Sequence, residues 1–236
     1  MPPPTGSTPI TVALAADARY ELPLTVTLCS ALANLERERE LVAYIIDDGL
    51  PPEARGRVAA STADGRCTLK WLPAPRQALN RLPRWGNMPA TTYSRLLLAD
   101  LLPASVGNVL WLDCDLLILV DLTDLWKTPL RVACAGAVPD PFIPFLGSRF
   151  GLRGLDELGL PQNAAYFNAG VLLIDLERWR NTDVGGQALE FLRRYGERVC
   201  YQGGQDQAAL NAVLFGCWTE LPRRWIASSR TSRMAW

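Results

Sequence analysis

Asp113-Cys114-Asp115 follows without a break on the apolar run Val109-Leu110-Trp111-Leu112. Side chains at i and i+2 of an extended backbone point the same way, so both carboxylates can face one cation. Hard oxygen donors suit Mg(II) or Mn(II), and through either ion a diphosphate. With 14 aspartates in 236 residues, such a triplet arises about once by chance; its weight comes from standing at the end of a buried strand, where an ionised pair needs a cation to offset lost hydration. The chain has no histidine, which removes Ser-His-Asp triads, Cys-His pairs, HExxH zinc helices and imidazole general bases. Carboxylates, amides, hydroxyls, arginines or an oxygen-ligated metal must carry any chemistry.

Four other positions can join that pair. Asp17, with Tyr20 close behind, also ends an apolar run; it reads either as a carboxylate accepting from a base N–H beneath a stacked ring or as a turn or cap aspartate. Arg95 is a cation within the apolar stripe Tyr93, Leu96, Leu97, Leu101, so it meets a phosphate or carboxylate, forms a structural ion pair, or lies at the surface. Asn168 opens a strand beside small residues or serves a turn. Gln205-Asp206-Gln207 follows Gly203-Gly204 at a helix start, where Asp206 is a functional carboxylate or a cap.

The elements that must position these residues alternate. Ile10–Ala16 and Leu41–Ile46 read as buried strands and Cys67–Leu72 as a third strand, separated by helices over Pro23–Leu35 and Pro51–Ser61. Continuous rather than alternating apolar strands indicate a mainly parallel sheet flanked by helices, an α/β class. Pro73–Pro89 is irregular, Thr91–Leu102 is helical, and Val106–Leu112 is a strand. Asp121–Trp126 is a turn-helix, Arg131–Val138 a strand, Asp140–Leu160 a Pro/Gly-rich excursion, Phe167–Leu176 a strand, and Gly185–Tyr195 and Gln205–Phe215 are helices. The expected layout is a loose leader over residues 1–9, one domain over 10–222, and a tail over 223–236.

Composition narrows the partners. Lysine plus arginine equal aspartate plus glutamate at 24 each, which disfavours nucleic acid, because counterion release needs basic surplus. Six separated cysteines without a CxxC pair read as reduced thiols of a cytoplasmic protein. No secretory signal or spanning run is visible. The tail carries Arg223, Arg224, Arg230 and Arg233 with Trp225, Ile226, Met234 and Trp236, which is either a peripheral contact with an anionic membrane surface or a solvated end.

Five ordered blocks resemble glycosyltransferase family 8, retaining enzymes that use nucleotide sugars on a GT-A fold. They are Ala15-Ala16-Asp17-Ala18-Arg19-Tyr20, Thr91-Thr92-Tyr93-Ser94-Arg95-Leu96, Leu112-Asp113-Cys114-Asp115 with Asp121-Leu122 and Leu125-Trp126, Tyr166-Phe167-Asn168-Ala169-Gly170-Val171-Leu172-Leu173-Ile174, and Gln205-Asp206-Gln207 with Asn211. Within the family they look most like bacterial lipopolysaccharide galactosyl- and glucosyltransferases. The resemblance implies a UDP-hexose donor and a glycan or lipid-linked saccharide acceptor. Asp17 and Tyr20 would hold uracil, and Arg95 would contact the sugar or its phosphate side. Asp113 and Asp115 would hold Mn(II) or Mg(II), with Ala15, Arg19, Cys114 and Ala169 completing the donor-binding set. Asp140 and Asn168 would meet donor or acceptor hydroxyls, Asp206 would grip the sugar, and Gln207 would lie beneath the anomeric carbon.

The chain departs from the family pattern twice. Arg19 stands where asparagine is usual. The family's C-terminal His/Gly/Lys-Pro-Trp block, which supplies a third metal ligand and a phosphate contact, has no counterpart before Trp236, and the expectation is a C-terminal truncation. Two rival functions remain: a UDP-sugar binder without turnover, and a sugar nucleotidyltransferase. The latter should carry a Gly-rich phosphate loop with a basic residue after the first strand, and Ala15–Tyr20 is no such loop.

Overall fold

The computed structural model describes residues 8–82, 90–199 and 205–226. The leader before Thr8, residues 83–89 of the irregular stretch, Cys200, Gly203-Gly204 and the tail after Ile226 lie outside the described residues. Apolar runs become strands and the amphipathic segments between them become helices: β1 (Ile10–Ala16), α1 (Glu21–Asn34), β2 (Leu41–Asp47), α2 (Pro52–Ser61), β3 (Cys67–Pro73) and a short α3 (Arg76–Leu79). In α1 the buried side chains Leu24, Thr27, Leu28, Ala31 and Leu32 recur every three or four residues, the spacing that buries one helix face. Pro52 opens α2, where its missing N–H has no intrahelical partner to lose.

After a 3-10 helix over Ala90–Leu97 come α4 (Leu98–Leu101), β4 (Asn108–Leu112), α5 (Thr123–Trp126), β5 (Ala135–Pro139), α6 (Leu155–Leu158), β6 (Phe167–Asp175), α7 (Leu176–Asn181), α8 (Val184–Val199), α9 (Gln205–Val213) and β7 (Trp218–Glu220). The seven strands form one sheet in the order β3-β2-β1-β4-β6-β5-β7. Pairing is parallel except that β6 runs antiparallel to both β4 and β5. Alternation sorts each strand's side chains into two cores: Ile10, Val12, Leu14, Leu110 and Leu112 pack with α1 and α2, while Ala13, Val109 and Trp111 pack with the 3-10 helix, α8 and α9.

Five features differ from the sequence reading. Thr91–Leu102 is mostly 3-10 rather than α-helical; Thr91, Tyr93, Ser94, Arg95, Leu96 and Leu97 are all buried, so this segment has no solvent face from which a period could be read. Val106–Gly107 precede β4, and Arg131–Cys134 form a turn rather than a strand start, with Arg131 at φ 53°. The helix α7 grows directly out of β6, its start capped by Asp175, whose carboxylate accepts from the Arg178 N–H at 2.9 Å. Finally β7, only three residues long, adds an edge strand beyond β5.

A register break between β5 and β6 shapes the backbone around Asn168. Ala137 pairs with Leu172, but Val138 pairs with Asn168, so β6 bulges over Ala169-Gly170-Val171. Its alternation changes phase there: Phe167 and Ala169, then Leu172 and Ile174, face the same core.

Two glycines predict opposite outcomes. A Cβ on Gly185, in the first turn of α8, would fall on the Leu96 carbonyl oxygen of the 3-10 helix; Gly185→Ala is expected to destabilise the chain by about 1–3 kcal/mol. A Cβ on Gly56, inside α2, meets nothing within 4 Å; Gly56→Ala should stabilise by about 0.5–1 kcal/mol. Urea unfolding midpoints at unchanged m-value check both signs.

Candidate active site

The carboxyl ends of β1, β4 and β5 and the amino end of β6 share one edge of the sheet, the edge at which open α/β sheets place ligands. The 3-10 helix crosses there and delivers Arg95, 6% exposed. One of its terminal nitrogens donates to Asp113 Oδ1 at 2.8 Å, and the other donates to the Ala169 carbonyl in the β6 bulge. Its Nε stands 2.8 Å from Asp206 Oδ2, a charge contact rather than an aligned bond, because that N–H is directed at the Thr92 carbonyl. The guanidinium lies over the Trp111 ring, 5.0 Å from its centroid, and the Trp111 indole N–H donates to the same Asp113 Oδ1 at 3.0 Å. Burial pulls the arginine's pKa down, but Asp113 and Asp206 more than offset it, and the pKa ends raised. The structure therefore resolves Arg95 as a buried ion pair with two carboxylates.

Asp113 reaches this position because its backbone N–H donates to the Gly170 carbonyl at 2.8 Å, prolonging the ladder past β4. The next two residues form a turn, so the i, i+2 geometry of an extended strand does not apply: Asp113 points inward to Arg95 while Asp115 is exposed. Asp113 Oδ2 accepts no hydrogen bond from the described residues and would lie 3.0 Å from a Cβ on Gly170, so a side chain there would press on that oxygen. Partial desolvation of its inner side and the neighbouring Asp113 charge raise the Asp115 pKa. Two hard-oxygen carboxylates, one of which makes the other harder to ionise, fit a divalent cation. Among the described residues no group of three His, Cys, Asp or Glu side chains converges as a metal cage. Burial, with Asp115 and Asp113 beside it, pushes the Cys114 thiol up to about 12, so the middle residue stays a neutral thiol.

The second half of the site satisfies the backbone that the bulge releases from the sheet. Gln207 Oε1 accepts from the Ala169 N–H at 2.9 Å, and Asn168 Oδ1 accepts from the Gly170 N–H at 2.8 Å. Both amide groups then donate to one oxygen of Asp140, Asn168 at 3.1 Å and Gln207 at 3.2 Å. The other Asp140 oxygen accepts from the Phe142 and Ile143 N–H groups at 2.8 and 2.9 Å. Asn211, one turn along α9, brackets the Phe167 peptide and accepts its N–H at 2.8 Å. Asp206 is 4% exposed; burial, and secondarily Asp113, raises its pKa while Arg95 opposes.

The β1 group stands beside this cluster. Ala13 pairs with Trp111, which puts Ala15 and Asp113 each two residues further along neighbouring strands, and the Asp17 charge acts on the Cys114 thiol. Asp17 caps the short 3-10 turn Ala18–Tyr20 by accepting from the Arg19 N–H at 2.9 Å. The exposed Arg19 side chain clamps its other oxygen at 2.8 Å, and Tyr20 packs half-buried against the α1 side of the core. The polar role of Trp111 and the contact between Tyr93 and Gln205 escaped sequence reasoning. Tyr93 donates to Gln205 Oε1, which ties the 3-10 helix to the start of α9; Trp111 and Tyr93 read as core aromatics, and Gln205 is a buried polar residue whose partner lies far off in sequence.

The chain matches glycosyl transferase family 8 over residues 11–233. It belongs to that family. It is 28% identical over 215 residues to general stress protein A of Bacillus subtilis (strain 168), covering 91% of this chain and 72% of that protein. It is also 28% identical over 218 residues to the lipopolysaccharide 1,2-glucosyltransferase of Escherichia coli (strain K12), covering 92% of this chain but 61% of that protein. The crystal structure of the galactosyltransferase LgtC with donor and acceptor sugar analogues superposes with a TM-score of 0.82 at 29% identity, covering 96% of this chain and 79% of that one. The fold of this family 8 chain is GT-A. No helix among its described residues is long and apolar enough to cross a membrane.

Removing Arg95 from this family 8 site tests the ion pair. Arg95→Met leaves Asp206 buried and unpaired and should destabilise by about 3–5 kcal/mol at neutral pH. A carboxylate whose folded pKa is raised contributes stability at low pH that is lost as pH rises through the folded value. Without Arg95 the Asp206 pKa rises further, so the deficit should shrink on acidification; a deficit independent of pH from 4 to 8 would refute the pairing.

Proposed function

We propose that this chain is a metal-dependent, retaining hexosyltransferase that moves galactose or glucose from a UDP-sugar to a hydroxyl of a glycan or lipid-linked saccharide, with residues 10–222 as its GT-A domain. That it is a hexosyltransferase rests on its family and on its galactosyl- and glucosyltransferase relatives. One observation carries the finer reading: buried Arg95 ties Asp113, after β4, to Asp206, at the start of α9, and so sets a diphosphate-side carboxylate and a sugar-side carboxylate around one cation. The donor and acceptor analogues named for the LgtC complex support this choice of substrates.

In this reading Asp115 and the open Oδ2 of Asp113 hold Mn(II) or Mg(II). The ion would neutralise charge developing on the departing UDP. Asp17 and Tyr20 receive the base, with Arg19 fixing the Asp17 carboxylate. Asp206 holds sugar hydroxyls. Gln207, its amide pinned by Ala169 and Asp140, presents a preset dipole beneath the anomeric carbon. No imidazole base exists in this chain, and none is needed if the leaving diphosphate takes the acceptor's proton on the face where the acceptor attacks. The acceptor then approaches beside Asp140 and Asn168.

Incubation with Mn(II) and a panel of UDP-sugars should release UDP from UDP-galactose or UDP-glucose. Binding without UDP release, acceptors supplied, would leave a UDP-sugar binder; pyrophosphate release from UTP and a sugar phosphate would make it a nucleotidyltransferase. Asp113→Asn and Asp115→Asn should each abolish Mn(II)-dependent UDP binding in calorimetry while far-UV circular dichroism stays unchanged. Gln207→Ala should lower kcat roughly 10- to 100-fold with donor Kd nearly constant; equal losses in both would make Gln207 a binding residue only.

A further inference from the structure

We propose that Cys217 and Cys134 form a thiol–disulfide exchange site that takes low-molecular-weight disulfides and closes into an internal disulfide. Cys134 directly precedes β5 and Cys217 directly precedes β7. These strands pair in parallel from Ala135 and Trp218 onward, and the Cys134 N–H donates to the Cys217 carbonyl at 3.1 Å. The two residues are thus cross-strand neighbours, and adjacent strands lie about 4.8 Å apart, within the Cα separation a disulfide spans. The sulfurs stand 3.5 Å apart, and both residues are free cysteines.

Accessibility orders the two steps. Cys217 is half-buried in the turn that leaves α9, its N–H donating to the Leu214 carbonyl at 2.8 Å, and is the more exposed residue of the pair. Cys134 is 2% exposed, with Thr182 Oγ1 3.5 Å from its sulfur. Burial raises the Cys134 pKa, which keeps it a protonated, poor first nucleophile. The Cys217 thiolate attacks one sulfur of RSSR, breaking that S–S bond and releasing RS⁻, which takes up a proton. Cys134 then loses its proton to solvent and attacks Cys217 Sγ, expelling the second RS⁻. The net change is two protein thiols plus RSSR to one protein disulfide plus two RSH, so the two electrons end on the small disulfide. The bond would staple the three-residue edge strand β7 to the sheet and close a loop spanning 83 positions.

The native chain treated with oxidised glutathione should lose two hydrogens by intact mass and yield a Cys134–Cys217 cross-linked peptide. Its Tm should rise by roughly 5–10 °C, the rise being reversed by dithiothreitol. Cys134→Ser should stop at a glutathione adduct on Cys217, and Cys217→Ser should give neither adduct nor cross-link at this site. If Cys134→Ser does not fold, Cys134→Ala takes its place. A cross-link through Cys29, Cys67, Cys114 or Cys200 instead, a first adduct on Cys134, or no reaction in the native chain would overturn the assignment.

Discussion

Arg95 is a full positive charge placed inside the protein, and the site follows from how that charge is met. An isolated guanidinium there would be intolerable, so each of its faces and edges has an answer: carboxylates from β4 and α9, a carbonyl from the β6 bulge, and the Trp111 ring beneath. The partners come from segments 18, 74 and 111 positions away in the chain. Meeting one charge therefore fixes the relative placement of three elements, which bring Asp113, Asp115, Asn168, Asp206 and Gln207 to the site; Asp140, at the end of β5, joins them through Asn168 and Gln207.

The bulge in β6 is the complementary constraint. An antiparallel strand in regular register would spend its N–H and C=O groups on neighbouring strands. Because Ala169-Gly170-Val171 are out of register with β5, Arg95, Gln207 and Asn168 take backbone groups there instead, while the Gly170 carbonyl stays in the β4 ladder through the Asp113 N–H. Buried backbone polar groups must be paired, so the bulge holds the functional side chains in orientation as firmly as they hold it. Gly170 adds the local condition: a side chain there would press on Asp113 Oδ2 and Asn168 Oδ1.

Much of the scaffold could be read directly from residue order. The strand Ile10–Ala16 matches residue for residue, and β2 and β3 differ by one position at their ends. The uninterrupted apolar runs of β1 and β2 have one good place to go, the middle of a covered parallel sheet, while β3, interrupted by Thr68 and Lys70, forms its edge with no fully buried residue. The stretch around Arg95 was legible as buried but not as 3-10. Neither β7 nor the start of β5 was legible, since three residues carry too little pattern and the Arg131 turn sits inside an apolar-looking run. Asp17 shows a different limit. Its cap geometry and its proposed base contact call on the same residue type, and a sequence cannot separate them.

Local order thus determined the α/β class, the positions of the strand ends, and which polar residues stand there, because periodicity and punctuation are properties of neighbours along the chain. Family blocks added that Asp113, Asp115, Asn168, Asp206 and Gln207 belong together. Tertiary structure alone decided how: that Asp113 turns inward to share Arg95 with Asp206 while Asp115 faces solvent, that Asp140 is the hub of two side-chain amides, and that Cys134 meets Cys217. Each of these depends on which strands pair and in what register, and pairing between distant segments is settled by burying charge and backbone in the assembled fold, not by any local run of residues.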